Sequence, residues 1–181
     1  SASLVGSEMC IRDRYISEIV DDFNIMNPID YCNNPTVNLI THRYYEICKK
    51  NNINFTISIK NANIDFIKEH DITALLDNLL ENAVESALMT NEKFIDFSIS
   101  TRNSNFVIIK ISNSCNKKPK YIDGTLVSSK STSGMHGIGT RSIKRVVEKY
   151  NGNLEMKFDS NTNTFTSTIG INSNTQNYER I

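Results

Sequence analysis

The longest periodic pattern of apolar residues lies between residues 71 and 89 and predicts a helix that Asp71 caps. Apolar side chains recur there at the three- and four-residue spacing that places them on one helix face. These positions are Ile72, Leu75, Leu76, Leu79, Leu80, Ala83, Val84 and Ala87. Such a face is expected to lie buried against a sheet.

The same spacing predicts three further helices. One covers residues 15–27. The next is opened by Asn34 as the N-cap and Pro35 at the first helical position, and ends at Asn51-Asn52. The last covers residues 139–150 and ends at Asn151-Gly152, a favourable pair for a helix C-terminus.

Alternation of apolar and polar residues predicts five strands. They cover residues 55–59, 94–101, 106–112, 154–158 and 165–171. Three main helices interrupt these strands without strict alternation. We therefore expect a two-layer α/β (α+β) sandwich: a mixed, mostly antiparallel sheet covered on one face by about three helices, with an N-terminal helical arm.

The segment from 113 to 136 is rich in Ser, Lys and Gly, shows no periodicity and is predicted to be a mobile loop. We divide the rest of the chain into a helical arm and first domain helix (15–52), the domain (53–172) and a polar tail (173–181). Residues 1–14 include Met-Cys-Ile-Arg-Asp-Arg, which one reading frame of a sequencing adapter encodes. We interpret them as non-native; a genuine short helix is the alternative.

Composition narrows the function classes. The 20 basic and 20 acidic residues give a formal net charge of zero, which argues against a general nucleic-acid or membrane-surface binder. The four cysteines lack C-x-x-C spacing, so free thiols in a reducing cytosol are expected rather than a zinc site. No apolar run reaches the roughly 20 residues of a membrane helix.

A polar stripe runs along the 71–89 helix beside its apolar face. Asn78, Asn82 and Glu85 are spaced so that they stack along the helix. Asparagine is a middling helix former, and its amide oxygen can serve as a neutral ligand to Mg²⁺. The stripe therefore indicates either ligand contact or an exposed helix face in an asparagine-rich chain.

Glycines are concentrated just before the last helix, in the segment from Gly134 to Gly139. Glycine lets the backbone approach a ligand, and the free N–H groups at a helix start attract anions. The spacing fits neither a Walker P-loop nor a Rossmann fingerprint. A hinged lid over phosphates is one interpretation; an ordinary glycine-rich turn is the other.

The order of these motifs resembles the GHKL (Bergerat-fold) ATP-binding domain of sensor histidine kinases, in particular the Agr-type, peptide-sensing subfamily. Residues 77–87 resemble its N box. Residues 136–140, with the helix through 152, resemble its last glycine box. The Asn-Pro-Thr-Val-Asn stretch at 34–38 resembles the connection from the dimerisation helices.

The resemblance implies a site for ATP and Mg²⁺. Asn82 would be the Mg²⁺ ligand and Asn78 its neighbour on the phosphate side, while His136 and Lys130 would reach the nucleotide from the lid. The full set of implied ATP-binding residues is Asn78, Asn82, Asn113, Lys130, His136, Gly137, Ile138, Gly139 and Thr140.

Several positions depart from the family pattern. The usual Asp-x-Gly-x-Gly box is missing, as in Agr-type kinases, and Asn113 stands in place of its adenine-binding aspartate. An amide oxygen can accept the same hydrogen bond, but without charge. Glu85 replaces a phosphate-contacting lysine, and Thr140 replaces a leucine. Asn78 occupies the position of the glutamate base of ATP-hydrolysing relatives, so phosphoryl transfer is preferred over hydrolysis.

The resemblance further implies a protein-histidine kinase that acts in quorum sensing. Phosphate would pass from ATP to a histidine upstream of this chain, because none of His42, His70 and His136 lies in a phosphoacceptor motif. It would continue to a response regulator. The parent is expected to dimerise through an upstream segment and to hold this domain in the cytoplasm behind a membrane-anchored sensor. The alternatives are a stand-alone anti-sigma serine kinase and a catalytically decayed interaction module.

Overall fold

The computed structural model describes residues 31–116, 120–122, 125–127 and 138–174. The predicted helix at 15–27, the proposed non-native segment 1–14 and most of the polar tail lie outside the described residues. In chain order the elements are α1 (Pro35–Lys50), β1 (Asn54–Lys60), α2 (Glu69–Leu88), β2 (Phe94–Arg102), β3 (Phe106–Ser114), β4 (Lys120–Ile122), β5 (Thr125–Val127), α3 (Ile138–Lys149), β6 (Asn153–Asp159) and β7 (Thr164–Asn172).

Five of the strands form one sheet in the order β1-β2-β3-β7-β6. β1 pairs with β2 in parallel, and every other neighbouring pair in this sheet is antiparallel. Strands β4 and β5 form a separate two-stranded sheet. The described residues therefore form the predicted two-layer α/β sandwich, with a mixed sheet and three helices.

The core lies between the sheet and the helices. All eight apolar positions predicted for the buried face of α2 are buried. They meet alternate residues of the central strands, because successive side chains of a strand point to opposite faces. The strand residues of this layer are Ile95, Phe97, Ile99, Val107, Ile109, Ile111, Ile169 and Ile171. Periodicity therefore identified the faces that pack together.

Helix α1 begins as predicted. The side-chain oxygen of Asn34 accepts a hydrogen bond from the backbone N–H of Val37 at 3.0 Å, and Pro35 is the first helical residue. The Asn34 amide nitrogen also donates to Asp65 at 3.0 Å. Asn38 accepts from the backbone of Tyr31 and Cys32. Asparagine side chains thus fix the direction in which the chain enters this helix.

Helix α2 does not begin as predicted. It starts at Glu69, and its N-cap residue, Lys68, makes no side-chain cap hydrogen bond. The prediction that Asp71 caps the helix is wrong, because this residue already lies in the first turn with its side chain buried. Its partners are at the end of α3.

Part of the segment predicted to be an aperiodic loop forms strands. Strand β3 continues to Ser114, and strands β4 and β5 pair within the segment. Three-residue strands are too short to show the alternation on which strand prediction depends. Sequence reasoning therefore missed this hairpin.

The end of α3 confirms the predicted stop at Asn151-Gly152. Asn151 takes the left-handed conformation with φ 49°, and the Gly152 N–H bonds to the Val147 carbonyl at 2.8 Å. Gly152 also approaches β7 closely, since a methyl group on it would lie 2.9 Å from the carbonyl oxygen of Gly170. A side chain larger than hydrogen would not fit there.

Candidate functional site

Helices α2 and α3 pack against each other in antiparallel orientation. Asp71, in the first turn of α2, contacts Tyr150 just beyond the carboxyl end of α3. About two turns further along α2, Asn78 contacts Gly139 at the amino end of α3. The two helices therefore bring the asparagine stripe and the last glycine of the glycine-rich segment to one place.

Gly139 fits closely against both asparagines. A methyl group on this glycine would lie 2.8 Å from Oδ1 of Asn78 and 3.8 Å from Nδ2 of Asn82. The first distance is too short for a carbon atom, so glycine is required for this approach unless the Asn78 amide moves. This juxtaposition joins two motifs that are about 60 residues apart in the sequence.

The side chains of the two asparagines differ in burial and in their hydrogen bonds within the protein. Asn78 is half-buried and its Nδ2 donates to the Ala74 carbonyl at 2.5 Å, one turn back along the helix. That bond directs its Oδ1 toward Gly139. Asn82 is exposed, one turn further on. Its amide is therefore accessible to a ligand in the space beside α3.

The amino end of α3 borders the same space. The helix starts at Ile138, and no acidic residue lies in its first turn. The first N–H groups of a helix have no intrahelical acceptor, and the helix dipole makes that end attractive to anions. Thr140 is buried in this turn. A phosphate group could therefore bind where α3 meets Asn78 and Asn82.

Asn113 lies near the end of β3 on the face that carries Val107, Ile109 and Ile111, and it is buried. Its Nδ2 donates to the Ser114 carbonyl at 2.9 Å. Ser86 of α2 donates to the same carbonyl at 3.0 Å. Ser86 is one turn beyond Asn82, so Asn113 is linked to the helix that carries the asparagines.

Sequence reasoning predicted Asn113 but overlooked its polar neighbours Ser86 and Ser114. Thr90 adds to them a 2.8 Å hydrogen bond between its hydroxyl and that of Ser114. A signal for Ser86 was present. Asn78, Asn82 and Ser86 follow one another at four-residue spacing, which continues the polar stripe more closely than Glu85 does.

Asp71 lies at the opposite end of the helix pair and accepts two short hydrogen bonds on one oxygen. The Lys149 ammonium donates at 2.6 Å and the Tyr150 hydroxyl at 2.7 Å. Burial alone would raise the pKa of the Asp71 carboxyl, but the bonds from Lys149 and Tyr150 outweigh burial, and the pKa is lowered. Burial and the bond to Asp71 in turn raise the pKa of the Tyr150 hydroxyl.

Helix α1 packs against α2 next to the asparagines. The Arg43 guanidinium pairs with the Asp77 carboxylate, and the Tyr44 hydroxyl donates to the Asp77 carbonyl at 3.1 Å. Asp77 directly precedes Asn78. Helix α1 therefore supports the part of α2 that carries the site.

The structure thus brings Asn78, Asn82 and Gly139 together, and places Asn113 on the inner face of the sheet. The backbone of Ile138 begins α3. Lys130, His136 and Gly137 lie outside the described residues, so their predicted contacts remain predictions. Among the described parts of the chain, no group of three or more His, Cys, Asp or Glu side chains is arranged to hold a metal ion.

An open depression of about 450 Å³ lies elsewhere, lined among others by Tyr31, Cys32, Asn61 and Asp65. It contains none of the predicted site residues. The buried Cys48 lies in the core, where burial raises the pKa of its thiol to about 11.

Comparison with protein families decides which kind of domain carries this site. Residues 67–172, which include α2, α3 and the strands from β2 to β7, match the model of the GHKL domain. The chain belongs to the GHKL domain family. The matched region of this GHKL domain contains the asparagine stripe and the glycine-rich segment.

Solved structures of histidine kinases share its fold. The catalytic domain of histidine kinase ThkA superimposes with a TM-score of 0.59 at 18% identity, over 78% of this chain and 92% of that one. The mycobacterial sensor histidine kinase MprB gives 0.55 at 14% identity, over 75% and 95%. Acinetobacter baumannii histidine kinase AdeS gives 0.57 at 12% identity, over 96% and 86%.

One curated relative comes from Bacillus subtilis (strain 168) and bears the name "Probable C4-dicarboxylate sensor kinase". It is 30% identical over 99 residues, which cover 51% of this chain. The alignment spans 18% of the relative's length. No described helix of this GHKL domain has the length and apolar character needed to cross a bilayer.

Proposed function

We propose that this GHKL domain is the ATP-binding catalytic domain of a sensor histidine kinase, and that it delivers the γ-phosphate of ATP to a histidine. One observation carries the proposal. The asparagine stripe of α2 and the amino end of α3, two features that suit a phosphate-bound nucleotide, lie in direct contact at Asn78, Asn82 and Gly139. Membership of the GHKL family and the fold of histidine kinase catalytic domains support it.

The phosphates would lie at the amino end of α3. Backbone N–H groups of residues 137–139 would donate to phosphate oxygens, and the absence of acidic residues in the first turn leaves the helix dipole uncompensated. The missing side chain of Gly139 lets Asn78 and Asn82 of α2 approach the start of α3, which would hold the two asparagines next to the bound phosphates. Lys130 and His136 would add contacts from the segment before α3.

The exposed amide of Asn82 suits a Mg²⁺ ion that is held mainly by phosphate oxygens. An amide oxygen is a hard, neutral ligand, and such ions bind through few protein groups. When bound, Mg²⁺ would neutralise charge on the β- and γ-phosphates during transfer. The protein's part is to hold the Asn82 oxygen next to the phosphates that α3 binds.

Adenine would bind deeper, between α2 and β3. Asn113 is buried on the helix-facing side of the sheet. Ser86 and Asn113 both donate to the Ser114 carbonyl, which fixes the Asn113 amide at the end of β3. Its carbonyl oxygen would accept a hydrogen bond from the adenine amino group.

Phosphoryl transfer is favoured over hydrolysis because the site lacks a suitable base at position 78. An amide cannot take a proton from water, and the Asn78 NH₂ group already donates to the Ala74 carbonyl. Transfer to a protein group needs mainly positioning and charge stabilisation. Both are properties of the α2–α3 contact.

The finer assignment is to the Agr-type, peptide-sensing subfamily, with a role in quorum sensing. The Asn34-Pro35 start of α1 and the missing Asp-x-Gly-x-Gly box support it. The acceptor histidine would lie upstream, in a segment that also forms a homodimer. The phosphate would pass on to a response regulator, and a membrane-anchored sensor would keep this domain on the cytoplasmic side.

A titration tests the proposal. The 181-residue chain is mixed with a fluorescent ATP analogue, with and without Mg²⁺. We expect saturable binding that Mg²⁺ strengthens, and loss of the Mg²⁺-dependent gain in Asn82→Ala. Asn153→Ala, an exposed asparagine at the start of β6, serves as the matched control and should bind like the parent chain.

No binding by a folded parent chain would favour a decayed interaction module and contradict the proposal. An unchanged Mg²⁺ effect in Asn82→Ala would remove the Mg²⁺ assignment alone. Incubation with γ-labelled ATP distinguishes a histidine kinase from a serine kinase. We expect the chain to remain unlabelled by itself and to label a dimerisation segment that carries a histidine; transfer to a serine would favour an anti-sigma kinase.

A further inference from the structure

We propose that Asp71 and Tyr150 are positioning residues: their hydrogen bond fixes the carboxyl end of α3 on α2, and thereby sets where the amino end of α3 meets Asn78 and Asn82. This inference rests on the proposed function, because its consequence is measured as phosphate-dependent nucleotide affinity. Neither residue contacts the candidate site itself.

The carboxyl end of α3 is held by buried polar groups. Asp71 and Tyr150 are only 6% and 3% exposed, and their 2.7 Å hydrogen bond therefore has little competition from water. Lys149 adds a charged donor to the same carboxylate oxygen at 2.6 Å. The ring of Phe66 packs edge-on against Tyr150.

Tyr150 also supplies the cap that the start of α2 lacks. Lys68 makes no side-chain cap, but its backbone N–H donates to the Tyr150 hydroxyl at 3.0 Å. Tyr150, just beyond the end of α3, therefore caps the start of α2. The hydroxyl accepts from the Lys68 N–H and donates to the Asp71 carboxylate, so two hydrogen bonds hold the end of α3 on the start of α2.

The position of the carboxyl end of α3 sets the position of its amino end, because a helix transmits displacement along its axis. Helix α3 has 12 residues, which at about 1.5 Å per residue gives roughly 18 Å. A small tilt about the Tyr150 end becomes a larger shift at Gly139. The contact there leaves little room, with 2.8 Å between Asn78 Oδ1 and the position of a methyl group on Gly139.

Tyr150→Phe is the appropriate variant, because it removes the hydroxyl and keeps the ring against Phe66. The 181-residue chain is titrated with an ATP analogue and, separately, with adenosine, which lacks phosphates. The variant loses the hydroxyl's bonds to Asp71 and Lys68, so we expect affinity for the ATP analogue to fall roughly five-fold, with adenosine affinity unchanged. Tyr45→Phe, a tyrosine on α1 outside this network, should change neither.

Asp71→Asn provides a second, nearly isosteric variant should Tyr150→Phe fail to fold. Where both fold, the loss of ATP affinity in the double variant should be smaller than the sum of the two single losses, because the two residues share the Asp71–Tyr150 bond. Equal weakening of ATP and adenosine, or no weakening of either, would overturn the inference and leave the proposed function intact. Failure of the folded parent chain to bind ATP would overturn both.

Discussion

At one end of the α2–α3 pair, Asp71 is buried and satisfied by Lys149 and Tyr150, so that the strong polar groups there bond within the protein. At the other end, Asn78 and Asn82 meet a glycine from a distant part of the sequence, and the Asn82 amide faces solvent. The first end uses its polar groups for stability. In the proposed function, the second end leaves its polar groups for a ligand.

The largest expected effect is at the buried end. Asp71→Ala would leave the Tyr150 hydroxyl and the Lys149 ammonium without their acceptor, and should lower the free energy of unfolding by about 3 kcal/mol. Urea denaturation measures it. Asp96→Ala, at an exposed position on β2, is the control and should change stability by less than about 0.5 kcal/mol. Equal effects of Asp71→Ala and Asp96→Ala would mean that the buried end of the helix pair contributes no more to stability than an exposed surface position.

The pH dependence of stability also tests the contribution of Asp71 at the buried end. Burial opposes ionisation of Asp71, but the bonds from Lys149 and Tyr150 dominate and hold its pKa below the ordinary 3.8. A lowered folded-state pKa stabilises the fold above the unfolded value, and this contribution is lost as pH falls through the folded value. The stability difference between the parent chain and Asp71→Asn should therefore be constant near neutral pH and shrink below about pH 4. A difference that grows with acidity would contradict this sign.

At the open end, function should change more than stability. Gly139→Ala forces the Asn78 amide to move, because the added methyl would lie 2.8 Å from its oxygen. Alanine also gains up to about 1 kcal/mol in helix propensity, which offsets the strain. We expect unfolding free energy to change by less than about 1 kcal/mol, and affinity for Mg²⁺-ATP to fall about ten-fold. A large loss of stability with unchanged affinity would reverse the assignment of the two ends.

The smallest effect on stability is expected at the contact between α1 and α2. Arg43 and Asp77 form an ion pair whose side chains are 52% and 29% exposed. Arg43→Met should cost less than about 0.5 kcal/mol, and the cost should diminish further at high salt. Thermal unfolding at two salt concentrations measures it. A cost near that of Asp71→Ala would mean that α1 supports the site more strongly than its exposure indicates.

The sequence predicted those features of the fold in which burial gives apolar side chains a regular spacing. The face of α2 from Ile72 to Ala87 was identified because each turn of a buried helix must present apolar side chains to the sheet. Asn113 was assigned to the site through the family resemblance, and it lies buried near the end of β3. Asn34 was recognised because a cap acts on residues three positions away.

Contacts that join distant residues were not predictable in the same way. Asp71 was interpreted as a cap because its neighbours suggested a helix start, whereas its partner Tyr150 is 79 residues away. The β4–β5 hairpin has strands too short to show a pattern. The juxtaposition of Asn78 and Gly139 depended on the family resemblance, because no local rule relates the two motifs.

In the proposed function, the open end of the α2–α3 pair binds a Mg²⁺-nucleotide. Backbone amide resonances of the chain, recorded by NMR as Mg²⁺-ATP is added, test it most directly. We predict the largest shifts at Asn78, Asn82 and Gly139, and small shifts at Asp71. Shifts confined to the depression around Tyr31 and Asn61, with the α2–α3 resonances unmoved at saturation, would contradict the claim.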